Sequence, residues 1–373
     1  MEVAFFLLLF LVVYPYSIYP GAIFLLSRLL GLSWQQGDIT PRITIIISVY
    51  NEERVIEEKI KNTLSLEYPE ELLEIIVSSD GSTDRTNEIV SRIKDSRLVL
   101  QAFPHRSGKT VCLNRVVPLV KGDIVLFTDA NSMFPPGVLR KITRNFNDPG
   151  VGLVSGWSKY VNRRGDEEAT GIYSRIEMLT KYGESLISSC VGADGAIFAI
   201  RKELYKPLKN QDINDFVIPL NVISQGKRVI LDPEIFCFEE PSLGEIKEFR
   251  RQARITNRTL RAIWTNLRFL NIRYHGWFSF FLFSHKLLKF MVPFFMVGMF
   301  LTNIVLAFVT PIYLGLLLIQ FFLLSLAVAN IIGITDAKVA HICKFFLITL
   351  YAQFIGWVRM FKGTGDMMWT PER

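Results

Sequence analysis

Two apolar runs in this chain each close on acidic residues. One is Leu73-Glu74-Ile75-Ile76-Val77-Ser78-Ser79-Asp80-Gly81-Ser82-Thr83-Asp84, the other Gly122-Asp123-Ile124-Val125-Leu126-Phe127-Thr128-Asp129-Ala130-Asn131. A strand that carries a carboxylate to its C-terminal end, twice within one stretch, suits a nucleotide and metal site. Asp129 and Asn131 alternate at the strand end, so both can face one ligand. A hard divalent cation takes oxygen ligands and neutralises a diphosphate leaving group. Lys109 follows Ser107-Gly108 at the start of an expected helix. A cation and free amide N–H groups there suit phosphate. Asp80 can accept hydrogen bonds from a nucleoside, or it can close an ordinary turn between strand and helix. Asp84 reads as a helix-start residue.

These residues need a scaffold. Ile43–Tyr50 is a β-branched run of the kind found in buried parallel strands. Asn51-Glu52-Glu53 opens a helix through about Leu66. Further strands are expected at 73–79, 98–100 and 124–128, with helices at 84–94 and 110–120 between them. This alternation predicts an open α/β sheet with its ligand at the C-terminal strand edges. Beyond it the pattern is less regular. Strands are expected at 151–158, 196–200 and 229–231, and helices at 167–188 and 214–225. An amphipathic, Arg-rich helix covers 245–267.

Half of the residues are hydrophobic and 13% are aromatic, and the apolar excess is localised. Residues 3–30 carry a single charge, Arg28, and are long enough to span a bilayer. A cleaved signal peptide fits poorly, since no basic segment leads the run and no small-residue cleavage site follows. Three apolar stretches lie near 287–309, 311–333 and 339–358. If all three span, Arg359 and Lys362 lie outside, against the positive-inside rule, so the number of spans stays open. The formal net charge of +7 fits a face held against anionic lipid. Nucleic acid is a poorer partner, because no basic stripe is interleaved with aromatics. The cysteines at 112, 190, 237 and 343 form no close pair and read as reduced, buried thiols. G-x-S-x-G, H-E-x-x-H and Walker A sequences are missing, and the four histidines are dispersed. The apolar stretches hold too little charge for an ion path.

Ser48-Val49-Tyr50-Asn51-Glu52-Glu53 resembles the P-x-Y-N-E opening of family 2 glycosyltransferases. Ser79-Asp80-Gly81-Ser82-Thr83-Asp84-Arg85-Thr86 resembles their D-G-S-T-D-x-T loop. Arg106-Ser107-Gly108-Lys109, Asn114 and Asp129-Ala130-Asn131 follow in the family's order. The resemblance covers about 40–265 and implies a GT-A (α/β) domain. It extends to the membrane branch that includes hyaluronan, cellulose and poly-N-acetylglucosamine synthases. The implied plan is a transmembrane helix at 1–32 and a cytoplasmic GT-A domain at 40–245. Amphipathic, interfacial helices follow at 246–286, then transmembrane helices at 287–360 and a tail at 361–373.

The resemblance also implies roles. Tyr50, Glu52 and Asp80 would hold the nucleoside of the donor, and Lys109 and Arg254 its diphosphate. Asp129 and Asn131 would bind Mg²⁺ or Mn²⁺ in the place of the D-x-D motif. Gly192 and Asp194, within Cys190-Val191-Gly192-Ala193-Asp194-Gly195-Ala196, would line the acceptor site, although Asp194 could equally hold the turn. Asp215, in Asp212-Ile213-Asn214-Asp215, would be the general base that the attacking hydroxyl needs, with Asp212 as the alternative. Three departures from the pattern stand out. Asn131 replaces an acid, Asn214 replaces another, and Arg251 and Ile255 replace the outer Gln and Trp of Q-x-x-R-W. The expected protein is an inverting, metal-dependent hexosyltransferase of the plasma (inner) membrane. It would use a nucleotide sugar, UDP-linked by resemblance, and a lipid-linked or growing polysaccharide acceptor. It would contact membrane lipid and could serve an export or assembly partner. A second reading is a non-catalytic, nucleotide-binding scaffold of a polysaccharide-export complex.

Overall fold

Every residue of Ile43–Val49 is buried, so this strand must lie at the centre of a sheet covered on both faces. The computed structural model describes residues 1–161, 171–240 and 244–363. Its strands are β1 (Ile43–Val49), β2 (Leu73–Asp80), β3 (Leu98–Phe103), β4 (Ile124–Asp129), β5 (Val151–Tyr160), β6 (Phe198–Arg201) and β7 (Arg228–Glu239). They form one sheet in the order β3-β2-β1-β4-β6-β5-β7. The β1 to β4 strands pair in parallel, while β6 runs antiparallel to both β4 and β5.

From β1 the chain builds outward through β2 and β3, then returns to place β4 on the other side of β1. That reversal opens a crevice at the C-terminal ends of β1 and β4, where α/β sheets bind ligands. The register pairs Ser48 with Asp129 and Val49 with Ser79. Asp80 and Asp129 therefore flank the end of β1.

The helices are α1 (Glu2–Leu30), α2 (Ile56–Leu64), α3 (Thr86–Arg92), α4 (Lys109–Val116), α5 (Val138–Thr143), α6 (Gly171–Ile187), α7 (Asn214–Ile223), α8 (Glu245–Thr265), α9 (Trp277–Ala307), α10 (Pro311–Ile331) and α11 (Lys338–Phe361). The helix expected from Asn51 starts only at Ile56, because Asn51 takes a left-handed φ of 55° and the residues after it form a turn. The strand β7 is far longer than the three residues expected. Asp232-Pro233-Glu234 interrupts its apolar pattern, and a register shift against β5 absorbs the break. Positions 167–170 of the expected long helix and 364–373 of the tail lie outside the described residues.

The chain divides into two compact units. The sheet unit holds Ile23–Ser242 together with Asn271–Phe281. Its core joins β1, β2 and β4 to apolar residues of α2 and α5, including Ile56, Ile60, Val138 and Ile142. The helical unit contains the first part of α1, then α8 and most of α9 to α11. Phe5 packs on Tyr313 with ring centroids 5.5 Å apart, and Val12 clusters with Val292 and Leu350. Both α1 and α9 contain a π-helical turn, at Tyr14–Ile18 and Leu282–Leu287, joined by a Tyr14 hydroxyl to Ser284 Oγ hydrogen bond. The C-terminal half of α11 packs on α8 and on the middle of α9. Phe249 stacks on Tyr351, and Trp357 Nε1 donates to the Phe290 carbonyl.

Among the described residues four helices, α1, α9, α10 and α11, are long and apolar enough to cross a membrane. They display large exposed apolar side chains such as Phe6, Leu25, Phe308 and Phe322. Apolar surface on that scale is covered by lipid, and the chain is a membrane protein.

Candidate active site

Loops at the C-terminal edge of the sheet interlock before any ligand is considered. Asn51 Oδ1 accepts the Thr83 N–H at 2.8 Å, and the Asn51 N–H donates to Ser82 Oγ at 3.2 Å. The Glu52 N–H donates to Thr86 Oγ1 at 2.8 Å. Asp84 Oδ2 accepts the Glu53 N–H, while its Oδ1 accepts the Thr86 N–H at the start of α3. Asp84 is thus a helix-start residue that also ties the loop after β1 to the loop after β2. Burial raises its pKa, but the hydrogen bonds from Thr86 and Glu53 outweigh this and hold it below the usual range.

Asp80 is buried, and both carboxylate oxygens face the loop before α4. Oδ1 accepts the Ser107 N–H at 2.6 Å and Oδ2 the Gly108 N–H at 2.8 Å. Cys112 Sγ stands 3.3 Å from Oδ1. Burial and the Asp80 charge push that thiol up to about 12, so it stays protonated and can donate. Gly81, at φ +69°, permits the fit: a Cβ there would come within 2.6 Å of the Arg106 nitrogen. The Arg106 guanidinium lies 3.9 Å from the centroid of the Tyr50 ring. Ser48, Val49, Tyr50, Ser78, Asp80, Lys109 and Cys112 line a small cavity at this edge.

Lys109 opens α4, and its Nζ lies 2.6 Å from Asp129 Oδ1. The same helix reaches the other half of the sheet unit. Thr110 Oγ1 donates to the Asp212 carbonyl at 3.1 Å. The Asn114 side chain donates to the Leu208 carbonyl and accepts from the Leu208 N–H and the Tyr205 hydroxyl. Asp215 follows on the first turn of α7 and lies against the Gly192–Gly195 loop. The Ala193 N–H donates to the Asp215 carbonyl at 2.7 Å, and a Cβ on Gly195 would sit 3.0 Å from Asp215 Oδ2. Gly192 takes a φ of +74°.

The sequence-expected residues therefore fall into two connected groups. Tyr50, Asp80, Lys109 and Asp129 gather at the ends of β1, β2 and β4, with Glu52 buried on the adjoining loop. Gly192, Asp194 and Asp215 gather at α7. Asp194 accepts from the Ser158 N–H, Ser158 Oγ and the Ala196 N–H, and its own N–H donates to Ser155 Oγ. It holds the glycine loop onto β5. Arg254 lies on α8, in the helical unit.

For a divalent cation the protein offers Asp129, a partly exposed carboxylate, and the amide oxygen of half-buried Asn131. Among the described residues no three His, Cys, Asp or Glu side chains cluster as a self-sufficient cage. One carboxylate and one neutral oxygen suit a cation whose shell is completed by phosphates and water, as for Mg²⁺. Lys59 escaped the sequence reading. It lies fully buried beneath the Asp129 turn, on the face of α2 that also buries Ile56, Ile60 and Thr63. A lysine on an apolar helical stripe was the available signal. The thiols at 112, 190 and 237 are buried as expected, whereas Cys343 is only half-buried.

Residues 44–208 match the family model described as glycosyl transferase family 2. Poly-beta-1,6-N-acetyl-D-glucosamine synthase of Staphylococcus aureus is 25% identical over 204 residues, 52% of this chain and 49% of that protein. Beta-monoglucosyldiacylglycerol synthase of Nostoc sp. is 31% identical over 123 residues, 32% of this chain and 26% of that protein. The chain spans about half the length of the first of these relatives and about a quarter of the second. Among solved structures, the mannosyltransferase PcManGT from Pyrobaculum calidifontis in complex with GDP-Man and Mn²⁺ shares the fold. The TM-score is 0.71 at 22% identity, over 96% of this chain and 99% of that one.

Proposed function

We propose a reaction for a chain whose residues 44–208 match glycosyl transferase family 2 and which has a GT-A fold. It moves a sugar, with inversion, from a nucleoside diphosphate donor to a lipid-linked or growing polysaccharide acceptor at the membrane. One observation carries this reading: α4 joins the donor edge of the sheet to the segment leading to Asp215, through Lys109 to Asp129, Thr110 to Asp212 and Asn114 to Leu208. A transferase needs a leaving-group site and a base held in fixed relation.

In this reading the nucleoside lies against the sheet edge beside Tyr50 and Asp80. Asp80 acts chiefly by holding the 107–108 amides in place. Lys109 meets the diphosphate as a point charge. Asp129 and Asn131 hold Mg²⁺ or Mn²⁺, which when bound would stabilise the departing diphosphate. Asp215 accepts the proton of the attacking hydroxyl, and the small residues at 192–195 let a sugar approach the backbone. Arg254 supplies a second cation to the diphosphate. The catalytic domain faces the cytoplasm of the plasma membrane, where nucleotide sugars are made.

The test is a panel of nucleotide sugars, UDP-linked and GDP-linked, assayed on purified protein with Mg²⁺ or Mn²⁺. Nucleoside diphosphate release is followed with and without membrane lipid extract, beside Asp215→Asn. Release from one donor, lost in Asp215→Asn while donor binding survives, supports the enzyme, and dependence on lipid favours a lipid acceptor. Donor binding without release from any donor would sink it in favour of a scaffold.

A further inference from the structure

We propose that Lys59 is a positioning residue for cation and diphosphate binding, fixing from beneath the turn that carries Asp129 and Asn131. This rests on the reading of that turn given above. Lys59 Nζ donates to Thr128 Oγ1 at 3.2 Å and to the Ser132 carbonyl. Those two partners bracket residues 129–131. The ammonium also lies 3.6 Å from the centroid of the Phe134 ring.

The far end of the turn is pinned by the same helix. Asn62 Nδ2 donates to the Phe134 carbonyl at 2.9 Å, and Asn62 Oδ1 accepts the Phe134 N–H at 2.8 Å. Ser132 Oγ donates to Glu239 Oε1 at 2.6 Å, and Met133 pairs with Phe238 of β7. The turn is thus held by α2 below and β7 beside it, leaving Asp129 to face Lys109.

Lys59 has no exposed surface, and burying a cation costs several kcal/mol unless partners compensate. Methionine would fill a similar volume without that cost, so packing alone does not call for lysine here. Burial drives its pKa down to about 7, against the opposing charges of Asp129 and Glu239. An ammonium and a neutral amine can both donate to Thr128 and Ser132, so the role does not depend on the protonation state. Rigid support of this kind matters most where the ligand set is thin, and here a single carboxylate and an amide must be placed correctly.

The experiment uses the full chain in detergent. Mn²⁺ binding is read by electron paramagnetic resonance in the presence of UDP and, separately, GDP. Lys59→Met should weaken binding of the Mn²⁺–nucleotide pair by about tenfold to a hundredfold. Thr128→Val, which removes one partner from above, should weaken it in the same direction. Ile60→Val, a methylene deletion on the same helix, should lower the melting temperature and leave binding unchanged. Wild-type binding retained in Lys59→Met overturns the proposal alone. So does a loss in Ile60→Val that matches the loss in Lys59→Met. Should Lys59→Met fail to fold, unchanged binding in Thr128→Val overturns it. Absence of Mn²⁺ binding with either nucleotide in the wild type overturns both this proposal and the cation reading beneath it.

Discussion

The Lys109 ammonium lies 2.6 Å from Asp129 Oδ1 and links the loop after β3 to the end of β4. Both side chains are largely shielded from water, so each keeps the other's charge compensated. In the proposed reaction a cation arriving with a diphosphate would offer each member a new partner, the metal for Asp129 and a phosphate oxygen for Lys109. Lys109→Met should therefore weaken nucleoside diphosphate binding by about tenfold to a hundredfold, the worth of a charged hydrogen bond. The same change should let Mn²⁺ alone bind Asp129 more tightly. Titration calorimetry with UDP, GDP and Mn²⁺ separates the two effects, and equal weakening of both would contradict the exchange.

Gly195 lies so close to Asp215 that a Cβ would stand 3.0 Å from Oδ2. That is tighter than ordinary contact, so Gly195→Ala must shift the carboxylate by a few tenths of an ångström. In its proposed role as general base Asp215 would be sensitive to such displacement. Turnover should fall about tenfold to a hundredfold, while donor binding, set at the other end of α4, stays unchanged. Steady-state kinetics beside equilibrium donor binding checks this. A change in donor affinity with unaltered turnover would remove Asp215 from the base role.

The parallel half of the sheet was legible in the sequence because its strands are uninterrupted apolar runs with carboxylates at their ends. Asp80 and Asp129 were found for the same reason and Lys109 from the Ser107-Gly108 pair before a helix start, and the structure brings the three to one edge. The continuation of β7 was missed because Asp232-Pro233-Glu234 breaks its pattern, and Asp232 is in fact buried against Arg144. Lys59 was missed because a lysine on a helix is normally solvated, and only the strand above shows what it holds. Asp194 was left between two roles because its partners Ser155 and Ser158 lie on a distant strand. The binding of Asp80 to the 107–108 amides likewise depends on how two loops meet.

Asp95 predicts a pH dependence of stability away from the site. Arg97 reaches it with Nε at 3.0 Å from Oδ1 and Nη2 at 2.8 Å from Oδ2. The Arg97 hydrogen bonds lower the Asp95 pKa to about 2, against about 3.9 in an unfolded chain. The folded state therefore holds the proton less tightly. The stabilisation is fully present above the unfolded value and is lost as pH falls through the folded one. Asp95→Asn should cost about 1 kcal/mol at pH 7, the upper range for pairs near the surface. The gap between variant and wild type should narrow between pH 4 and pH 2 in thermal melts. A gap independent of pH would show that shape, not charge, is what Asp95 contributes.

Gly356 sets how closely α11 can lie on α8. A Cβ there would come within 2.7 Å of both Thr256 Cβ and Thr256 Cγ2, and within 3.2 Å of the Ala253 carbonyl oxygen. Small residues at such crossings allow backbones to approach and gain dispersion contacts. The contact is reinforced on either side, by Phe249 stacked on Tyr351 and by the Arg261 guanidinium reaching the Arg359 carbonyl. Because α8 is amphipathic and rich in arginine, this packing holds the polar end of α11 beside a helix suited to the lipid–water boundary. Gly356→Leu cannot be accommodated by a rotamer change, since the obstructing atoms lie next to or in the backbone. Overpacking of this kind costs about 1–3 kcal/mol. The variant should melt at lower temperature in detergent, and proteolysis within 351–363 should accelerate. Gly356→Ala should show the same direction at smaller size. A Gly356→Leu protein with unchanged melting and cleavage would mean that α8 and α11 do not hold each other in the membrane.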